Sequence, residues 1–198
     1  MYQKYNTEAL VLGSFEQGEA DKVFKLYTRD FGLVYARASA VRRESSRMRF
    51  ALQNYSRARV SLVRGKHGWR VGGATSIQGA ESGEGGATFA RIARLVGRLV
   101  AGEEENSYVF STLAEAHQTL MDTAGDSSAT IELVCVARIL YGLGYLSPEA
   151  LGRSPTGETL ETALFTHTSY AREHVREAES LKEKLLPSVN RAIAETHL

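Results

Sequence analysis

The stretch Val34–Arg70, VYARASAVRRESSRMRFALQNYSRARVSLVRGKHGWR, decides how this chain is read. In its first run Leu33, Tyr35, Arg37 and Ser39 fall on one side of a strand, while Val34, Ala36, Ala38 and Ala40 fall on the other. One face is therefore small and apolar, the other basic. A second run repeats the pattern, with Ala58, Val60 and Leu62 opposed to Arg57, Arg59 and Ser61. Between them, Arg42-Arg43-Glu-Ser-Ser-Arg47-Met-Arg49 reads as a loop or short helix dense in guanidinium groups, whose planar forks match phosphate oxygens and stack on bases.

Across this stretch ten basic residues (Arg37, Arg42, Arg43, Arg47, Arg49, Arg57, Arg59, Arg64, Lys66 and Arg70) face a single acid, Glu44. The whole chain is nearly neutral, at a formal +1, so the charge is segregated. Residues 1–80 hold 14 Lys/Arg against 6 Asp/Glu, and the remainder holds 10 against 17. A basic N-terminal part is the electrostatic footprint of nucleic acid or of an acidic membrane surface, and the acidic remainder is a poor phosphate binder. A solvated charged surface is the competing reading, but the sign bias and the interleaved Tyr35, Tyr55 and Trp69 favour nucleic acid, which basic grooves with aromatic platforms hold without reading sequence. Trp69 and Tyr55 fit a core position as well as a stacking surface.

The strands before this stretch follow the same logic. Thr7–Ser14 is the first, Phe15–Asp21 the turn or loop after it, and Val23–Arg29 the second, with Phe24 and Leu26 on one face. Asp30-Phe31-Gly32 turns tightly into the third. Arg57–Val63 is the fourth, Arg64–Gly68 its turn and Trp69–Ile77 the fifth. Five short strands with a connector between the third and fourth suit a small closed Greek-key barrel of the OB type. Gln78–Ala87, with four glycines and no large side chain, reads as a linker centred on residues 81–87.

Beyond it the apolar period changes from 2 to 3.6. Phe89, Ile92, Ala93, Val96, Leu99 and Val100 form one stripe, with Arg91, Arg94 and Arg98 away from it. Further helices are predicted over Ser107–Met121, Ala129–Leu143 and Thr168–Leu186, with Pro187 breaking the last or opening a short helix over Ser188–Glu195. Leu146–Thr162 reads as a loop crossing the bundle. The predicted class is α+β: an OB-type barrel over residues 1–80, a linker over 81–87, and an all-α helical bundle over 88–198.

Other chemistries find little footing. The single Cys135 forms neither an internal disulfide nor a four-cysteine zinc site and reads as a buried thiol. His167 and His174 stand seven apart, two helical turns and too far for one metal; His117 falls on the apolar side of its helix. Glu103-Glu104-Glu105 reads as a cluster at a helix start. No phosphate-loop pattern follows a strand, and no nucleophile stands with a base, so no catalysis and no cofactor are expected. No apolar run reaches the roughly 18 residues of a transmembrane helix, and the polar start lacks a signal-peptide core, so a cytoplasmic protein without a membrane partner is expected.

Several segments, in order, resemble the RecO family of bacterial recombination mediators. They are Thr7-Glu-Ala-Leu-Val-Leu-Gly13, Gly18-Glu-Ala-Asp-Lys22, Thr28-Arg-Asp-Phe-Gly32, Ala38-Ser-Ala-Val-Arg42-Arg43 with Ser46-Arg47 and Ala51-Leu-Gln53, then Leu143-Gly-Tyr-Leu-Ser-Pro148 and Asn190–His197. The resemblance implies an N-terminal OB barrel, a helical C-terminal domain, and work in recombinational repair. Specifically it implies binding of single- and double-stranded DNA, annealing of complementary strands, and loading of recombinase on single-stranded DNA, with RecR and the C-terminal tail of single-strand-binding protein as partners. Many members carry a four-cysteine zinc module; the corresponding region here, roughly Ser147–His167, has no cysteine, so no zinc is expected.

The expected DNA-binding residues are Lys25, Arg37, Arg42, Arg43, Arg47, Arg49, Arg57, Arg59, Arg64 and Lys66. Two rival readings of the same charge are an RNA-binding OB protein of translation or RNA metabolism, and a scaffold whose basic patch holds an acidic protein tail.

Overall fold

The computed structural model describes residues 3–122, 127–147 and 164–196. It falls into two compact units, one of residues 1–82 and 93–110, the other of residues 83–92 and 111–198.

The first unit is built on a closed barrel in the order β1-β2-β3-β5-β4, where β1 is Lys4–Gln17, β2 Asp21–Thr28, β3 Gly32–Ala38, β4 Arg57–Gly65 and β5 Gly68–Gln78. All pairings are antiparallel except β3 with β5, which run parallel through Ala36–Trp69 and Arg37–Arg70 and close the ring. This is the five-stranded OB-type barrel that the alternation predicts. Strand β1 serves two neighbours: its first half pairs with β4, from Lys4–Val63 to Leu10–Arg57, and its second half with β2. A bulge between Val11 and Gly13 bends the strand between the two pairings.

Ala9, Ala36, Ala38 and Ala58 occupy little space inside, and Phe24, Leu26, Val60, Leu62 and Trp69 fill it. Helix α1 (Met48–Ala51) lies in the β3–β4 connector and contributes buried Ala51, with Leu52 behind it in the core. Trp69 is only 4% exposed and packs edge-on against Tyr5 at 5.6 Å and tilted against Phe31 at 5.1 Å, which places it in the core. Gly32 is the one residue that fits its position: φ is +61°, and a Cβ would collide with the Glu104 backbone carbonyl, while Leu33 N donates to Gly102 O at 3.2 Å.

The predicted loop Phe15–Asp21 is corrected here. Phe15, Glu16 and Gln17 pair with Val23, Lys22 and Asp21, so strand runs on to Gln17 and the turn shrinks to Gly18–Ala20. Cross-strand partners outweigh a composition rich in acids, and Gly18, at φ +67°, takes the left-handed position in the turn.

Five further helices are described: α2 (Glu84–Leu99), α3 (Ser107–Asp122), α4 (Ser128–Gly142), α5 (Arg172–Ser180) and α6 (Lys182–Glu195). The stripe Phe89, Ile92, Ala93, Val96, Leu99 and Val100 is buried, and Arg91, Arg94 and Arg98 are exposed. Residues 84–87, expected as linker, are the first turn of α2. Glu84 favours that terminus through the helix dipole, and Gly85 abuts the Leu120 carbonyl so closely that a Cβ would collide. Asn106, rather than the glutamates before it, caps α3, its Oδ1 accepting from Val109 N at 3.0 Å.

In the second unit α4 is apolar almost all round and buried, yet it carries a fully buried cation, Arg138. Arg138 Nε donates to Leu164 O at 2.6 Å, and Nη1 donates to Thr168 O at 3.1 Å and Ser169 O at 3.0 Å, while its guanidinium lies 4.9 Å from the Tyr170 ring. The Thr168 and Ser169 carbonyls are thus held by a side chain in a stretch that is not helical, and the helix predicted from Thr168 starts at Arg172. It also ends early, at Ser180, with Leu181 as the joint before α6; Pro187 lies inside α6 instead of breaking it. The lost hydrogen bond there is tolerated because Leu185 and Val189, on either side, are buried. His167 and His174, two turns apart if the helix began early, stack with centroids 5.5 Å apart, since residues 167–171 are not helical. The expected crossing loop Leu146–Thr162 lies almost entirely outside the described residues, as does most of the Ser147–His167 region.

Candidate nucleic-acid interface

The outward faces of the barrel strands and the β3–β4 connector carry the basic residues, because inward positions are taken by the apolar alternates. Each candidate then meets a different environment. Arg37 donates from Nε at 2.8 Å and from Nη2 at 2.5 Å to the Asp21 carboxylate, whose other oxygen accepts from Ala40 N at 2.7 Å. The Ala40 amide first, and then Arg37, hold the Asp21 carboxyl below its usual range. Arg57 and Arg29 share Glu8, at 2.9 and 2.5 Å. Burial raises the Glu8 carboxyl, but hydrogen bonding and charge from the two arginines outweigh it and the net shift is downward.

Arg42 reaches the carbonyls of Gly18 and Glu19 and pairs with Glu16 at 3.2 Å, tying the connector to the β1–β2 turn. Arg64 pairs with Glu103 at 3.2 Å and lies 5.2 Å from the Trp69 ring centre. Lys25 is half-buried, donates from Nζ to Gly97 O, and sits 5.6 Å above the Tyr35 ring.

That leaves Arg43, Arg47, Arg49, Arg59 and Lys66 exposed and, among the described residues, without an acidic partner. Three of the five lie in Arg42–Arg49. Arg59 stands on β4 between Glu8 and Thr75 of the neighbouring strands, and Lys66 is at the β4–β5 turn. Arg70 is exposed beside Arg37 in the β3–β5 register. Ion pairs at exposed sites are worth only about 0–1 kcal/mol, so Arg37, Arg42 and Arg64 are available to a phosphate as well.

Alternation alone did not reveal two exposed aromatics. Phe50, 59% exposed, lies at the end of the arginine run with the Arg49 guanidinium 4.7 Å from its ring centre. Phe15 projects from β1 opposite Val23. Tyr35 is 51% exposed and Tyr55 half-buried, with φ +69°. Adjacency to Arg49 was the available signal for Phe50, and outward register the signal for Phe15. Among the described residues no three His, Cys, Asp or Glu side chains gather as a metal would require, and no helix is long and apolar enough to cross a membrane.

A closed OB-type barrel followed by helices, with a guanidinium-rich connector between its third and fourth strands, defines the class of protein. Residues 1–79 match the family described as Recombination protein O N terminal. Proteins named DNA repair protein RecO are similar over most of the chain. The one from Pelotomaculum thermopropionicum is 30% identical over 71% of this chain and 56% of its own length, and the one from Heliobacterium modesticaldum 31% identical over 80% and 58%. The Dehalococcoides mccartyi protein of the same name is 28% identical over 75% of this chain and 67% of its own. The chain belongs to the RecO family, and it spans little more than half the length of the first two relatives.

Proposed function

We propose that this chain is a non-enzymatic DNA-binding and strand-annealing mediator of recombinational repair, assisting recombinase loading on single-stranded DNA in the cytoplasm. The observation that carries the reading is the run Arg42–Arg49 on an OB-type barrel, with Arg43, Arg47 and Arg49 exposed and without acidic partners among the described residues. A flexible set of exposed guanidinium groups neutralises phosphates wherever a strand is laid and leaves bases free to find a complement. Annealing requires that combination. The candidate DNA-binding residues are Lys25, Arg37, Arg42, Arg43, Arg47, Arg49, Arg57, Arg59, Arg64 and Lys66, with the five unpaired ones foremost.

Labour is divided in this reading: residues 1–80 hold single- and double-stranded DNA, and the helical part over 88–198 engages RecR and the C-terminal tail of single-strand-binding protein. The names of the relatives support DNA over RNA as the ligand. The test is competition among DNA, RNA and an acidic peptide for the full chain, together with the rate at which it anneals complementary oligonucleotides. DNA is expected to win and annealing to accelerate; preference for RNA, or no acceleration, would overturn the proposal.

A further inference from the structure

At one end of the barrel, beside α1, an open cleft of about 260 Å³ is lined by Glu16, Lys22, Phe24, Val41, Arg42, Arg49 and Leu52. Its floor is apolar: Phe24, Val41 and Leu52 belong to the barrel core. Its rim carries three cations and one carboxylate. Phe50, next to the lining residue Arg49, is exposed, and the Arg49 guanidinium lies 4.7 Å from its ring centre, so a flat, cation-capped ring stands beside the cleft. We propose that this cleft is a single-nucleotide subsite of the DNA track: one unstacked base lies over the apolar floor against Phe50, and its phosphate takes Arg42 and Lys22 in place of Glu16. The proposal rests on the DNA-binding reading above and goes beyond it by naming where a base is held.

Three features favour this occupant. The volume lies just below the range of sites for drug-sized ligands and suits one planar ring with its sugar, not a folded peptide segment. The cleft adjoins Arg43 and Arg47 in the same connector, so charge continues outside it at further positions, as a polymer of regularly spaced phosphates requires and a single terminal carboxylate does not. The Arg42–Glu16 pair, at 3.2 Å with side chains 36% and 60% exposed, is weak enough for a phosphate to displace. Glu16 thus acts as a placeholder, occupying Arg42 until a strand arrives.

The test uses the full chain and a short oligothymidylate carrying one 2-aminopurine, whose fluorescence reports stacking, alongside the same strand with one abasic position. Phe50 is exposed, so Phe50→Ala should fold normally. It is expected to weaken binding about ten-fold and to abolish the stacking signal, and Phe50→Tyr to restore both. Glu16→Gln is expected to tighten binding several-fold by removing the competitor. If Phe50→Ala and Glu16→Gln both behave as the parent while Arg43→Ala/Arg47→Ala weakens binding, the subsite is wrong and the wider DNA track stands. If the arginine variant is also unchanged, the underlying reading fails too. An acidic peptide whose binding responds to Glu16→Gln and Phe50→Ala, with oligonucleotide binding indifferent to both, would assign the cleft to protein and refute the proposal.

Discussion

Replacing Arg43 and Arg47 together by Ala removes two exposed cations that have no acidic partner among the described residues, in a segment that contributes no side chain of theirs to the core. The fold should be untouched. If each contacts one phosphate of a single strand, the slope of log affinity against log salt becomes shallower by about 0.7 per contact, or about 1.4 in all. Between about 50 and 200 mM salt, a factor of four, the parent should therefore lose roughly seven-fold more affinity than the variant. The assay is fluorescence anisotropy of a labelled oligonucleotide at several salt concentrations, with far-ultraviolet circular dichroism to confirm folding. A control removes the same net charge elsewhere: Arg176 and Arg191, exposed in α5 and α6, replaced by Ala, should leave the slope unchanged. Equal slopes for parent and Arg43→Ala/Arg47→Ala, or an equal loss in the control, would refute the assignment of the track to the connector.

Gly32→Ala should destabilise the barrel unit by at least roughly 1–3 kcal/mol, from the positive φ alone, with the Glu104 collision adding to it; urea denaturation measures this. Arg138→Met strips three carbonyls in the 164–169 segment of their donor, and thermal melting should show a loss of about 3 kcal/mol or more. Glu8→Gln tests the pair of arginines on one carboxylate. Its folded pKa is lowered, so its stabilisation is present above the unfolded value, near 4.5, and is lost as pH falls through the folded one. The stability difference between parent and Glu8→Gln, about 1 kcal/mol at neutral pH for a partly exposed site, should shrink toward zero on acid titration followed by circular dichroism.

The barrel was legible because alternation survives wherever one face is buried: Val34, Ala36 and Ala38 against Tyr35 and Arg37, and Ala58, Val60 and Leu62 against Arg57 and Arg59. The helical stripe from Phe89 to Val100 was legible for the same reason at the other period. What stayed hidden depends on partners remote in sequence. Strand β1 continues through Glu16 only because Lys22 answers it across the turn, and Trp69 is core only because Tyr5 and Phe31 come to meet it. The charge count marked the basic region but not its pairing. Asp21 binds Arg37 through the hairpin, and Glu8 binds Arg57 across the β1–β4 ladder; with Arg42 on Glu16 and Arg64 on Glu103, four of the ten candidate cations already face a carboxylate. Where Arg138 draws three backbone carbonyls to itself, a helical periodicity from Thr168 is overruled by one buried side chain.

The central claim is that DNA lies on the barrel unit along the Arg42–Arg49 connector. Hydrogen–deuterium exchange of the full chain, with and without a single-stranded oligonucleotide, tests it most directly. Slowed exchange is expected in Val41–Gln53 and at the turns Gly18–Ala20 and Lys66–His67, with the amides of α4, α5 and α6 unchanged. Protection confined to α4–α6, with none in Val41–Gln53, would contradict it.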